Sequence, residues 1–191
     1  LHYADATEDL KIEYVKRLST LRFEGYVAFA DYAGSRDYEK TYLRLLGALI
    51  TRRLMAAESQ FALIYCESNN KVSAAKIETL IQKTQLDLEE RNDRRPVNVF
   101  IEMVAKPHLG ISVPDFLLGV LGKYLRSKQA PAGKPETRDR LMFERLRDKY
   151  RLILDVPNWI EYSRRRPITP WDDEPKARPS KGGADLGPPN G

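Results

Sequence analysis

The sequence predicts an α/β domain in which parallel strands are joined by crossover helices. Short apolar segments with strand-forming residues alternate with longer segments whose apolar residues recur every three or four positions. The resulting order, helix–strand repeated three times and closed by a helix, is typical of a sheet with parallel strand pairs. The 191 residues, 42% of them apolar, suffice for one domain with a core, expected over residues 1–156.

The first half of the chain contains two predicted helices and two predicted strands. Asp5 is the expected N-cap of a helix over residues 5–21, with Glu8 three positions later. A short β-prone segment follows at 26–30, and the next helix is expected over 37–57 with Asp37 as its cap. The second predicted strand is Phe61–Glu67, which ends at a polar turn.

In the second half, a helix is expected over 73–91, followed by an apolar run at 97–104 that is typical of a strand buried on both faces. After a loop, Ser112 is the expected N-cap of an apolar helix over 116–124, with Asp115 beside it. A charged amphipathic helix is expected over 137–149. A last strand or an edge strand is expected at 150–156. Residues 157–191 are rich in Pro, Gly and charge, and we expect a disordered tail there.

The number of predicted strands is small for this class of fold. Only three clear strands are visible in the sequence, whereas a typical sheet has roughly five or six. We therefore expect the chain to begin partway through a domain, with the remaining strands upstream of Leu1. The alternative is that a partner completes the sheet.

The composition excludes some classes of protein and leaves others open. A single cysteine excludes an internal disulfide and a multi-cysteine metal site, and its apolar surroundings favour a buried, inert thiol over a nucleophile at Cys66. The net charge of +5 has both signs mixed, so it neither supports nor excludes nucleic acid as a partner. No apolar run approaches the roughly 20 residues of a membrane span. No secretory signal is visible either, so the cytoplasm is the expected compartment.

Three acidic side chains, Asp31, Glu67 and Asp115, are predicted to lie at the carboxyl ends of strands, where α/β sheets bind their ligands. Converging carboxylates suit hard cations such as Mg²⁺ or Mn²⁺. Two such ions can clamp the attacking and leaving oxygens of a phosphodiester. The alternative for each residue is structural: Asp115 as a helix cap, Glu67 as an edge residue at a turn, and Asp31 as a solvated loop residue.

The two histidines are further candidates for proton transfer. His108 lies in the loop that precedes Asp115, where a hydrogen bond to backbone is the alternative. His2 lies close to Asp5, for which helix capping is the alternative. The chain has no GxGxxG, GxxxxGK[ST], GxSxG or HExxH motif. The usual nucleotide-binding, serine-hydrolase and zinc-protease motifs are therefore excluded.

Three segments resemble an RNase H-like family catalogued as DUF3800, a domain of unknown function. They are the helix start SVPDFLLG at 112–119, the strand and turn LIYCESNN at 63–70 with the helix that follows, and the opening LHYAD at 1–5. The likeness covers residues 1–151. The first strand of the family, which ends in Asp-Glu-Ser-Gly, is absent and would lie upstream of Leu1. Pro114 and Glu67 stand where the family commonly has Ala and Asp.

The resemblance implies the C-terminal part of an RNase H-like three-layer domain that acts as a metal-dependent nuclease. Asp115 and Glu67 would hold Mg²⁺ or Mn²⁺, with an upstream Asp as third ligand and Asp31 as a further candidate. His2 or His108 would assist proton transfer. The competing hypothesis is a non-catalytic α/β module of the same fold that binds a protein or a nucleic acid. A small-molecule-binding domain is a third class, which the missing phosphate loop disfavours.

Overall fold

The computed structural model describes residues 2–30, 37–67, 71–91, 97–104, 109–127 and 137–168. The helices in these ranges are α1 (Glu8–Thr20), α2 (Tyr38–Met55), α3 (Ala74–Glu90), α4 (Leu109–Arg126) and α5 (Arg138–Leu146). The strands are β1 (Gly25–Phe29), β2 (Phe61–Glu67), β3 (Asn98–Val104), β4 (Tyr150–Asp155) and β5 (Ile160–Tyr162). A 3₁₀ turn, Arg147–Lys149, links α5 to β4. The predicted α/β class is confirmed.

The strands of the described part form two sheets. The first sheet has the order β1-β4-β5, with β1 and β4 parallel and β4 and β5 antiparallel. The second sheet consists of β2 and β3, which are parallel and are connected through α3, as the element order predicted. β4 lies between two neighbours and β5 follows it, so the expectation of a last strand or an edge strand at 150–156 was wrong.

The first core lies between the β1–β4 pair and the helices α1, α4 and α5. α4 supplies much of it, and Phe116, Val120 and Leu121 have at most 2% of their surface exposed. The rings of Tyr124 and Phe143 stack with their centroids 3.8 Å apart, which joins α4 to α5. The apolar helix that the sequence predicted over 116–124 therefore has one side buried in the first core. Among the described residues, no helix combines the length and the apolar character that a membrane crossing requires.

The second core lies between the β2–β3 sheet and the helices α2 and α3. Ile77 and Ile81 of α3 are completely buried in it. α2 also reaches the first sheet, where Leu45 packs against a small buried cluster that contains Ala28 of β1 and Leu154 of β4. α2 is therefore a helix that packs against both sheets.

One face of the β2–β3 sheet is left uncovered in the described part of the chain. Alternate side chains, such as Ile64 and Ile101, pack against the second core, and the side chains between them face outward. Phe100 of β3 is 57% exposed. The expectation that 97–104 is buried on both faces was therefore wrong. A short apolar run does not by itself reveal whether one or both faces of a strand are covered.

Two N-caps illustrate how the helix starts compare with the predictions. α1 begins at Glu8 and not at Asp5, because Thr7 has an extended backbone and its hydroxyl accepts the Leu10 N–H at 3.3 Å. The carboxylate of Asp37 accepts a backbone N–H in the first turn of α2 at 3.0 Å, so this predicted cap is confirmed.

α4 begins earlier than predicted, at Leu109. Ser112 is consequently a residue inside the helix, 5% exposed, and not its N-cap. Pro114 also lies inside the helix, where it cannot donate the N–H of the regular hydrogen-bond ladder. Val113 packs against the first core, so tertiary packing helps to hold the turn that precedes the proline.

The folded part of the chain extends beyond the boundary predicted at residue 156. β5 pairs with β4, and Ile168 is 7% exposed within the first core. The expectation of a disordered tail was therefore wrong for 157–168, because apolar side chains in this segment pack against the rest of the protein. Residues 169–191 lie outside the described residues.

Candidate functional site

Asp115 lies in the second turn of α4 and binds the beginning of the chain. Its Oδ2 atom accepts the backbone N–H of Tyr3 at 2.6 Å and lies 3.3 Å from Nδ1 of His2. The His2 and Asp115 side chains are 30% and 34% exposed. Asp115 therefore does not cap its own helix, which was one of the two predicted roles. It anchors the segment that leads into α1.

Packing of the Tyr3 ring holds the same segment in place. Tyr3 is 6% exposed, and its ring meets that of Phe116 edge-on, with centroids 5.3 Å apart. The ring also lies directly against Gly119, where an added Cβ would be 2.2 Å from the nearest ring atoms. Burial is the main reason that the pKa of Tyr3 is raised to about 12. One backbone hydrogen bond and this packing therefore fix the segment beside Asp115.

Glu67 ends β2, as predicted, and belongs to a different part of the fold. Its charge contributes to the raised pKa of Tyr42 in α2, for which burial is the main cause. Tyr42 packs against the second core, whereas Tyr3, which binds Asp115, belongs to the first. The structure therefore places Glu67 and Asp115 beside different cores.

Two of the predicted site residues, Asp31 and His108, lie outside the described residues. Of the others, His2 and Asp115 are brought together. Within the described ranges, no group of three or more His, Cys, Asp and Glu side chains is arranged to hold a metal ion. The Asp115 carboxylate is oriented by the contacts of its Oδ2 atom with Tyr3 and His2. Its Oδ1 atom has no hydrogen-bond partner among the described residues and could bind Mg²⁺ or Mn²⁺.

A buried acidic residue, Asp155, was not among the candidates that the sequence predicted. It is 7% exposed at the carboxyl end of β4, beside Phe29 of β1. Its Oδ1 accepts the Asn158 backbone N–H at 3.3 Å, and its Oδ2 accepts the side-chain amide of Asn158 at 2.8 Å. These bonds close the turn between β4 and β5. The strand-end rule that singled out Glu67 would have found Asp155 had β4 been recognised as an interior strand.

The single cysteine is buried, as predicted. Cys66 is 8% exposed and packs in the second core. Burial raises the pKa of its thiol, which disfavours the thiolate that nucleophilic attack requires. The geometry supports the structural interpretation of Cys66 over the catalytic one.

The uncovered face of the β2–β3 sheet carries four large side chains, which we call the outer patch. Phe61, Leu63 and Tyr65 are 62%, 57% and 45% exposed, and Phe100 is 57% exposed. They alternate along their strands and therefore share one face, on which Phe100 is the register partner of Leu63. Isolated exposed apolar residues are ordinary, but a contiguous group marks an interaction surface.

A groove of about 1070 Å³ borders the outer patch. Residues 61–65 of β2 form one wall, and the C-terminal half of α2, with Ile50 and Leu54, contributes the floor. The opposite wall includes Tyr26 of β1 and Leu152 of β4. The groove therefore lies between the two sheets.

Comparison of the chain with protein-family models, curated proteins and solved structures finds no match. The resemblance to DUF3800 therefore stays a prediction based on short motifs. Two features of the described residues bear on function: the His2–Asp115 pair, and the outer patch with the groove beside it.

Proposed function

We propose that this chain is a protein-binding module whose contact surface is the outer patch. This is the non-catalytic alternative that the sequence left open. The observation that carries it is the exposure of Phe61, Leu63, Tyr65 and Phe100 on one face of two paired strands. Covering apolar surface gains about 25 cal/mol per Å², so this face gains free energy when a partner covers it.

The composition of the face fits a protein partner. Three of its four large side chains are aromatic, and aromatic residues are enriched at the centres of protein interfaces. Asn98 and Glu102 are exposed on the same face of β3 and give the apolar centre a polar border. The proposed face therefore has the arrangement of an interface, with an apolar centre and a polar rim.

The same face does not favour nucleic acid. Phosphate binding is dominated by Lys and Arg, and the outward positions of β2 and β3 contain neither residue. Glu102 is a negative charge at the edge of the patch and would repel a phosphate backbone. We therefore propose that the partner of the outer patch is a protein and not a nucleic acid. We expect the two to meet in the cytoplasm.

Site-specific photo-crosslinking tests this proposal. A photoreactive phenylalanine analogue at position 100 is expected to capture a defined protein partner, whereas the same analogue at Leu86 of α3 is not. Leu86 is the matched control, since it is also 57% exposed but lies on a different element. Capture of the same proteins from both positions, or of none from position 100, would contradict the proposal.

The purified partner then allows a quantitative comparison. Leu63→Lys is expected to weaken binding at least about tenfold, about 1.4 kcal/mol, because it places a charge at the centre of the patch. Leu86→Lys is expected to leave the dissociation constant unchanged. Equal effects of the two substitutions would show that the outer patch is not the binding surface.

A second candidate function is the metal-dependent nuclease that the resemblance implies. The observation that favours it is the orientation of Asp115, whose Oδ2 is fixed by Tyr3 while Oδ1 stays open among the described residues. Asp115 would hold Mg²⁺ or Mn²⁺ with an upstream carboxylate and without Glu67, which lies beside the second core. The metal would activate water for attack on a phosphodiester and neutralise the developing charge.

Calorimetric titration with Mn²⁺ tests this candidate. The Asp115→Asn variant is expected to lose Mn²⁺ binding but to keep its fold, because an Asn side-chain oxygen still accepts the Tyr3 N–H. Asp139→Asn in the first turn of α5 is the control and is expected to bind as the original chain does. Absent binding, or binding that Asp115→Asn does not change, would leave the nuclease candidate without a metal site on this chain.

A further inference from the structure

The groove between the two sheets is bordered by the open edge of a strand. In the described part of the chain, β2 pairs with β3 on one side and has no strand on the other. β1 likewise pairs with β4 and has no second neighbour among the described strands. An open edge is a template for another strand, and proteins normally blunt it with charges or cover it. β2 has no charged residue before Glu67, so its edge is not blunted in this way.

In β2, the backbone N–H and C=O groups of every second residue point away from β3. The Gln60 carbonyl accepts the Asn98 N–H at 2.8 Å, so Gln60 faces β3. Because successive residues of a strand turn their N–H and C=O groups to opposite sides, Ala62 and Ile64 also face β3. The N–H and C=O of Leu63 therefore face the groove.

The floor of the groove suits the side chains of an added strand. Ile50 and Leu54 of α2 line it and are only 7% and 5% exposed, so they present apolar surface to an occupant without projecting into it. A strand beside β2 would place every second side chain on this floor. The intervening side chains would extend the outer patch beside Leu63.

We infer that an extended segment of a partner protein enters this groove and pairs with the open edge of β2. The inference rests on the proposed function and deepens it by naming how the partner is recognised. Backbone hydrogen bonds to Leu63 supply affinity, and alternate apolar side chains supply specificity. The groove has walls on two sides, so its occupant is a single extended segment. The β2 strand of a second copy does not qualify, because it is paired with β3 and packed on α2.

The charges along the groove indicate that the segment also carries an acidic residue. Three arginines line the groove, and two already have carboxylate partners: Arg52 with Glu161, and Arg151 with Glu24 at 3.9 Å. Arg53 lies over an aromatic ring of β1 at 4.2 Å and has no carboxylate partner among the described residues. An Asp or Glu of the segment would pair with Arg53.

Selection from a phage-displayed library of random linear peptides tests the inference, with Leu63→Lys as the counter-selected variant. Enriched peptides are expected to alternate apolar residues at every second position and to contain an acidic residue. Arg53→Gln is expected to weaken their binding about tenfold. Arg22→Gln is expected to have no effect, since Arg22 is exposed and does not line the groove.

A backbone substitution separates strand pairing from simple apolar contact. Leu63→Pro removes the N–H that faces the groove but none that faces β3, and it is expected to abolish peptide binding. Leu63→Ala keeps the N–H and is expected to bind more weakly without losing binding. If Leu63→Pro does not unfold cooperatively, amide exchange of Leu63 in the original chain gives the same information, and the peptide is expected to slow it at least tenfold.

The outcomes distinguish this inference from the proposed function. Enriched peptides with helical spacing that leave the Leu63 amide unprotected would overturn strand insertion and keep the outer patch as the binding surface. A selection that enriches nothing over the Leu63→Lys variant would overturn the inference, and the crosslinking experiment would then decide the proposed function separately. Displacement of the peptide by self-association of the chain would identify a second copy as the occupant and would also overturn it.

Discussion

The Tyr150 hydroxyl joins β4 to α4 through a buried hydrogen bond. Tyr150 is 3% exposed, and its hydroxyl donates to the Leu117 carbonyl at 2.8 Å. Its ring packs against Phe143 of α5 with centroids 5.4 Å apart. Burial raises the pKa of this phenol, so the fold stabilises the neutral form. This single side chain therefore connects a strand to two helices.

The raised pKa of Tyr150 predicts a dependence of stability on alkaline pH. In the unfolded chain the phenol loses its proton near pH ~10, whereas in the folded protein it keeps the proton to higher pH. The stabilisation is therefore complete below about pH 10 and is lost as the pH rises towards the folded-state pKa. Tyr150→Phe removes this contribution, so its stability should fall less steeply above about pH 10.

The same substitution has an expected cost at neutral pH. Loss of the hydrogen bond to Leu117 should lower the free energy of unfolding by about 1 kcal/mol. Urea unfolding of both proteins at neutral pH and at two alkaline pH values measures both effects. If the free energy of unfolding falls equally steeply above about pH 10 in Tyr150→Phe and in the original chain, the raised pKa of Tyr150 is contradicted.

The residues of the candidate site show what sequence can predict at this scale. The sequence singled out Asp115 by its place at a predicted helix start, just past the carboxyl end of a predicted strand. Its partner Tyr3 is 112 positions away, and no local pattern connects the two. Asp155 was missed because the strand that it ends was taken for an edge or last strand. Residue types thus indicated which carboxylates to consider, but long-range contacts decide what each one binds.

At the scale of elements, α4 shows how tertiary packing changes a local prediction. The sequence predicted an apolar helix here but placed its start after Ser112, because Ser-x-Pro-Asp is a typical capping pattern. In the structure, burial of Ser112 and packing of Val113 accompany a helix that already begins at Leu109. Capping patterns describe an isolated helix end, and they do not include the neighbours that fold against it.

Replacing two glycines of α4 by alanine is expected to change the free energy of unfolding in opposite directions. Gly119→Ala should lower the free energy of unfolding by about 1–2 kcal/mol, because the added Cβ collides with the buried Tyr3 ring and outweighs the better helix propensity. Gly122→Ala should raise it by about 0.5–1 kcal/mol, because the nearest atom is the mobile end of Arg126 at 3.4 Å. Chemical denaturation of both variants measures the difference.

The two substitutions control for one another, since both replace a glycine within the same helix. Equal stabilisation by both would mean that the Tyr3 ring does not pack against α4. That result would also contradict the packing that holds the Tyr3 N–H beside Asp115.

At the scale of the whole molecule, the described strands form two small sheets with a groove between them. The sequence already indicated an incomplete sheet, because it contained too few strands, and a partner that completes the sheet was the alternative to the favoured expectation of upstream strands. It did not reveal which strand edge and which sheet face the described part of the chain leaves open. Strand pairing depends on contacts between distant segments, which no local pattern shows. The apolar sequence of β3 is compatible with both a covered and an uncovered outer face.

The central claim is that β2 offers an open edge and an uncovered face to a partner, and residue-resolved amide exchange along β2 tests it most directly. In the free chain, the Ala62 and Ile64 amides, which face β3, should exchange at least tenfold more slowly than the Leu63 amide, which faces the groove. Addition of the partner captured through position 100 should slow exchange at Leu63 and leave Ala62 nearly unchanged. A Leu63 amide that is already as protected as its neighbours in the free chain would contradict the account, since the edge of β2 would then be closed.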